Sequence, residues 1–160
     1  MALASLMEYL DARNVAYIVI SHSPAYTAQV VAGLAHISGK ELAKTVIVKL
    51  DGKLAMAVLP AKFHVDLELL RKMANAKTVA LAAEDEFKDR FPECETGAMP
   101  PFGNLYGIPV FADDSLEKDK EIAFNAGTHR ELIRMHWEDF KKLAEPKVIQ
   151  FAAGRQAEAA

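Results

Sequence analysis

Two apolar runs of strand-forming residues, joined by a single Asp-Gly pair, constrain this 160-residue chain more than anything else in it. The first is Ala43-Lys44-Thr45-Val46-Ile47-Val48-Lys49-Leu50, the second spans Leu54 to Leu59, and Asp51-Gly52 lies between them. β-Branched residues favour extended backbone, and Asp-Gly readily adopts the positive φ angles of a tight two-residue turn. The pattern predicts a β-hairpin inside a core. One residue is out of place there: Lys44 sets an ammonium group at the start of a strand otherwise built for burial. A strand lysine commonly lays its stem on apolar surface and keeps its head in water. That reading stands beside a second, in which something anionic or polar meets Lys44. Lys49 and Lys53, nearer the turn, are expected to be solvated edge charges that discourage sheet-to-sheet pairing.

Around the hairpin the pattern alternates between helix and strand. Leu3, Leu6, Met7 and Leu10 recur at helical spacing, with Asn14 as the stop, and Val15 to Ile20 follows as a strand. Thr27 is placed to cap a helix from Ala28 to Leu34, followed by the loop His36 to Lys40. Val65 to Ala74 predicts a helix, Lys77 to Ala82 a strand and Ala83 to Phe91 a short acidic helix. Val110 to Ala112 and Glu121 to Phe124 read as strands on either side of the turn Asp113-Asp114-Ser115. Trp137 to Leu143 reads as a helix and Val148 to Phe151 as a closing strand. No regular strand–helix–strand cadence appears. The expectation is therefore a mixed α+β domain: a central, largely antiparallel mixed sheet with packed helices. Residues 1–153 are expected to form one domain, with 154–160 a short flexible tail.

Composition removes several function classes. With 51% hydrophobic and 26% charged residues the chain is an ordinary globular one, and a formal charge of −3 gives no global field for nucleic acid. A local basic patch remains compatible with a few phosphate contacts. The single cysteine, Cys94, admits no intramolecular disulfide, which suits a reducing compartment. No signal peptide is expected from the N-terminal residues, and no apolar run approaches about 20 residues. Together these lead to the expectation of a cytoplasmic protein. The five histidines, His22, His36, His64, His129 and His136, are scattered, so neither a metal nor another cofactor is expected. No glycine pattern of a phosphate loop follows a strand. Cys94 sits between Glu93 and Glu95, which disfavour its thiolate, and is read as incidental.

Two loops are richer in chemistry. Gly97-Ala98-Met99-Pro100-Pro101-Phe102-Gly103 would serve as a rigid connector, or as a place where backbone approaches a ligand closely. Phe124-Asn125-Ala126-Gly127-Thr128-His129-Arg130 would serve as a hairpin turn with Gly127 at positive φ, yet it also offers several polar groups beside a buried strand.

Taken in order, Leu42-Ala43-Lys44-Thr45-Val46-Ile47, the G-x-x-x-P loop Gly97-Ala98-Met99-Pro100-Pro101 and the turn Phe124-Asn125-Ala126-Gly127-Thr128-His129 resemble the YbaK/EbsC family. That family shares its fold with the editing insertion domain of bacterial prolyl-tRNA synthetases, and the resemblance runs from about Leu3 to Phe151. It implies a free-standing aminoacyl-tRNA deacylase that protects translation fidelity by hydrolysing the ester of a mischarged tRNA. Carried over by position, it implies catalytic roles for Lys44, Gly97 and His129. It also implies substrate contacts at Thr45, Ala98, Met99, Pro100, Pro101, Phe102, Asn125, Gly127 and Thr128. The expected partner is the 3′ end of an aminoacyl-tRNA, delivered with help from a synthetase or elongation factor, and neither membrane nor DNA. The small residues Ala43, Ala98 and Ala126 suggest a pocket for alanine, serine or threonine. Two other readings stay open: a non-catalytic adaptor of the same fold, and a hydrolase of another activated ester.

Overall fold

The computed structural model describes residues 3–21 and 42–153. The helix expected at Ala28 to Leu34, the loop at His36 to Lys40 and the tail 154–160 lie outside the described residues.

The hairpin forms as its sequence dictates. β2 (Ala43–Leu50) and β3 (Lys53–Pro60) pair antiparallel from Ala43↔Pro60 to Leu50↔Lys53. Asp51 and Gly52 between them both take positive φ, 52° and 81°. Asp51 also does something its turn role did not announce. Its Oδ1 accepts hydrogen bonds from the backbone N–H groups of Lys77 (2.8 Å) and Thr78 (2.9 Å), which brings in β5 (Val79–Leu81) beside β2.

A five-stranded sheet grows from this hairpin in the order β5-β2-β3-β6-β9, with β6 at Val110–Asp113 and β9 at Lys147–Ile149. It is antiparallel on the β5-β2-β3 side and parallel on the β3-β6-β9 side. A second, wholly antiparallel sheet has the order β1-β8-β7, from Tyr17–Ser21, Glu131–His136 and Glu121–Asn125. A two-residue pair, β4 (His64–Val65) with β10 (Ala152–Ala153), completes the strands among the described residues. The α+β class and the mixed, largely antiparallel pairing match the expectation.

The larger sheet is covered on both faces because its strands alternate. Ala43 and Ile47 of β2 and Met56 and Val58 of β3 face one core, which holds α1 (Ala4–Ala12), Phe102, Phe124 and α4 (Trp137–Ala144). Val48, Ala55, Ala57 and Leu59 face another, closed by Leu70 of α2 (Leu67–Met73), Phe63 and Phe151. β2 is thus an interior strand, which corrects the edge reading of Lys49. Its Nζ lies 2.7 Å from Glu86 Oε2 on the short helix α3 (Glu84–Phe87). Lys53, beside the turn, is exposed.

Other departures have local causes. α2 begins at Leu67, two residues later than expected. Asp66 caps it by accepting from Leu69 N (3.0 Å), and Val65 pairs with Ala152 instead. Asp113, in the expected turn, is wholly buried, with Oδ1 accepting from Phe151 N (2.8 Å) and Ala152 N (2.9 Å) and Oδ2 from Ser115. One carboxylate there anchors the return of the C-terminal segment.

Candidate functional site

The two polar loops are clasped together by backbone. Gly127 N donates to Ala98 O (2.9 Å) and Glu95 N donates to Gly127 O (2.8 Å). The Glu95 carboxylate accepts from the His129 backbone N–H at 2.6 Å, and His129 Nε2 lies 2.8 Å from Thr96 O. A carbonyl oxygen only accepts, so in the neutral ring Nε2 carries the proton and Nδ1 the lone pair. The connection from β7 to β8 is a hairpin turn, as expected from Gly127 at positive φ. It is also one wall of a composite built with residues 95–98.

Glycine is required in this clasp for stated reasons. Gly97 has φ +84°, and a Cβ there would meet the His129 ring only at an ordinary 3.6 Å, so its need is conformational. Gly127 has φ +93°, and a Cβ would come within 3.1 Å of Leu3 Cβ, where α1 begins.

The loop after Gly97 turns inward. Ala98 and Phe102 are fully buried, Met99 nearly so, and Pro100 and Pro101 are buried with them. Phe102 packs edge-on against Tyr9, Phe124 and Phe140, with ring centroids 6.0, 5.7 and 5.3 Å away. The Phe102 side chain, where a substrate contact is expected, is enclosed in the core. The ring anchors the loop, and what the loop can offer a ligand near Gly97 is backbone.

The strand that carries Lys44 is joined to the strand that leads into the turn. Leu42 forms a parallel bridge with Ala123, which joins the start of β2 to β7. Two residues further along each strand, on the faces of the bridged pair, stand Lys44 and Asn125. Lys44 is half-buried and has no hydrogen bond or ion pair among the described residues. Burial holds its pKa below the ordinary lysine value. Asn125 Oδ1 is buried without a hydrogen-bond partner. A half-buried ammonium and a buried carbonyl oxygen, each without a partner among the described residues, are costly for folding alone. Thr45 is half-buried on the opposite face, with Ala43 and Ile47. The Thr128 hydroxyl is engaged locally, accepting from Arg130 N at 3.3 Å.

The sequence profile of the aminoacyl-tRNA editing domain matches residues 22–143, about three quarters of the chain. The chain belongs to that family. It is 26% identical over 151 residues to the multifunctional Ser/Thr-tRNA deacylase ProXp-y of Escherichia coli K12, covering 91% of this chain and 90% of the relative. Among solved structures it is similar to the hypothetical protein APE2540, with a TM-score of 0.82, 21% identity and coverage of 92% and 98% of the two chains. A candidate trans-editing enzyme for prolyl-tRNA synthetase superposes with a TM-score of 0.78 at 19% identity, over 93% and 95% of the chains. The resemblance read from the lysine, the loop and the turn thus holds, and this editing domain is an aminoacyl-tRNA hydrolase of the YbaK type.

Within the editing domain, Cys94 takes no visible part. Burial first, and Glu93 second, raise its pKa against the opposing effect of its contact with the Tyr106 hydroxyl at 3.6 Å. Glu95, expected to act on the thiol, serves His129 instead. Sequence reasoning missed this role because the ligated group is a backbone amide 34 residues away. Among the described residues no three His, Cys, Asp or Glu side chains gather as a metal site, and no helix is long and apolar enough to cross a membrane.

Proposed function

We propose that this chain is a free-standing, single-domain editing enzyme, spanning 1–153, that clears tRNA mischarged with alanine, serine or threonine. The observation that carries the site assignment is the bridge of Leu42 to Ala123, which sets Lys44 near Asn125 at the root of the turn clasped to residues 95–98, neither side chain having a hydrogen-bond partner among the described residues. The similarity to ProXp-y, a multifunctional Ser/Thr-tRNA deacylase, supports the small-substrate range.

An aminoacyl ester is already activated, so the enzyme has mainly to hold it, place a water and stabilise the charge that develops on the carbonyl oxygen. Water adds to the ester carbon, the C–O bond to the terminal ribose breaks, and the released ribose oxygen takes up a proton. Lys44 supplies positive charge to the tetrahedral oxyanion or to the phosphate of the terminal adenosine. Backbone N–H and C=O groups around Gly97 hold the ribose and aminoacyl group, and Asn125 Oδ1 receives a donor from the substrate. His129 orients the water or the ribose hydroxyls. Selectivity then rests on pocket shape, where one methylene is worth about 1–3 kcal/mol. With a charge of −3, tRNA binding rests on few phosphates and is salt-sensitive, so delivery by a synthetase or elongation factor fits the design. Such a partnership fits a cytoplasmic enzyme.

Hydrolysis of a panel of aminoacyl-tRNAs by the wild type and Lys44→Ala tests the proposal. The expected result is release of small amino acids, reduced about 10²- to 10³-fold in the variant. Full activity in Lys44→Ala removes Lys44 from the mechanism. Binding of the panel without release by the wild type supports the adaptor reading, and equal turnover of non-tRNA esters supports a general esterase.

A further inference from the structure

We propose that Glu95 is a positioning residue of the editing site, acting through His129; the inference rests on the site assignment above. Glu95 belongs to no helix or strand, and its side chain is exposed, yet it makes three links, two to the turn and one that closes its own loop. Its backbone N–H donates to Gly127 O (2.8 Å), its backbone carbonyl accepts from Ala98 N (3.0 Å), and its carboxylate accepts from His129 N (2.6 Å). The neighbouring residue completes the arrangement. Thr96 O lies 2.8 Å from His129 Nε2, while the Thr96 hydroxyl donates to Glu84 Oε1 (3.2 Å) on α3.

His129 is thus held at its backbone N–H and at its ring Nε2 by two consecutive residues. The backbone link fixes where residue 129 sits, and the carbonyl of Thr96 fixes which ring nitrogen carries the proton. Without the carboxylate, the His129 N–H turns to solvent and the ring loses its alignment with Thr96 O. The Cε1–Nε2 edge, which faces Gly97, then no longer keeps a fixed place. Displacements of about 1 Å in such a group cost up to about 10²-fold in rate.

Because the partner of Glu95 is an amide, an uncharged acceptor of the same shape does the same work. Glu95→Gln is therefore expected to retain deacylation within about 3-fold, while Glu95→Ala loses about 10- to 100-fold in kcat with KM little changed. In a His129→Ala background, Glu95→Ala is expected to add less than about 3-fold, since the ring it positions is gone. Near-wild-type turnover of Glu95→Ala overturns the proposal, as does equal loss in Gln and Ala, which would assign the effect to charge. A second measurement needs no substrate: the imidazole ¹⁵N shifts and the amide exchange of His129 in the free protein. Wild type and Glu95→Gln are expected to show the Nε2–H tautomer and a protected His129 amide, both lost in Glu95→Ala. An unchanged signature in Glu95→Ala overturns the proposal whether or not the panel yields a substrate. A wild type that hydrolyses nothing, but shows the signature and its loss, would instead remove the deacylase reading and leave Glu95 in its place.

Discussion

The two ends of β2 are built by different means. At the Asp51-Gly52 end, a repetitive antiparallel ladder and a tight turn follow from residues adjacent in sequence. At the Lys44 end, the site is assembled from β2, the loop at 95–103 and the turn at 125–129, held by a handful of backbone hydrogen bonds and one carboxylate. The first region satisfies its own polar groups. The second leaves a half-buried ammonium without a carboxylate among the described residues, and a buried amide oxygen without a donor. Redundant local bonds make a frame, whereas unmet polar groups at a junction of distant segments make a place for a ligand.

The sharpest way to break this comparison lies in the loop's anchor. A Cβ on Gly103 would stand 2.3 Å from Ile108 O and 2.7 Å from Val110 Cγ2. Gly103→Ala is expected to cost about 3 kcal/mol in denaturant unfolding and to lower turnover as well, because Phe102 holds the Gly97 loop. Gly127→Ala combines a left-handed backbone with a 3.1 Å contact to Leu3. About 2 kcal/mol and a disproportionate loss of kcat are expected, read by unfolding and deacylation on the same sample. At the opposite end of β2, Asp51→Ala removes the acceptor of two backbone amides, and about 1.5 kcal/mol should disappear from stability with activity per folded molecule unchanged. Loss of activity there would show that the two ends are not independent.

Lys44 sharpens the comparison through pH. Burial lowers its folded-state pKa below the unfolded one, so the charged form is penalised in the fold. Its contribution to stability is therefore unfavourable at neutral pH, and that penalty is relieved as pH rises through the folded pKa toward the unfolded value. Lys44→Met should equal or slightly exceed the wild type in stability at pH 7 and lose that alkaline gain. Deacylation, corrected for spontaneous ester hydrolysis, should decline below the ordinary lysine range near about 10.4, and Lys44→Arg should move the decline upward. A wild-type profile flat to that pH would separate the Lys44 charge from catalysis. The smallest effect belongs to the frame: Lys49→Met breaks a partly exposed pair with Glu86 and should change stability by about 0.5 kcal/mol, with turnover intact.

Legibility in the sequence followed the range of the interactions. The helix α1 ends where Asn14, at φ 55°, was read as its stop, and α4 buries Trp137, Phe140 and Ala144 along one face. β8 went unread: Glu131, Arg134 and His136 interrupt its apolar residues, and only pairing with β1 and β7 makes it a strand. Arg134 settles there beside Glu121, 3.2 Å away on the neighbouring strand. Asp113 reads as a turn residue and proves to be a buried anchor, because its partners are backbone amides 38 and 39 residues downstream.

By itself the sequence determined the hairpin, its turn, the amphipathic helices and the identity of the lysine, loop and turn that mark an editing domain. Side-chain period and backbone preference act over a few residues, and a motif is carried by its order. Tertiary structure alone decided the parallel placing of β6 and β9, the inward turn of Phe102 and the clasp of Glu95 on His129. Those depend on which distant backbone groups come to lie within 3 Å of one another, and that is settled only when two sheets and their helices close on a common core.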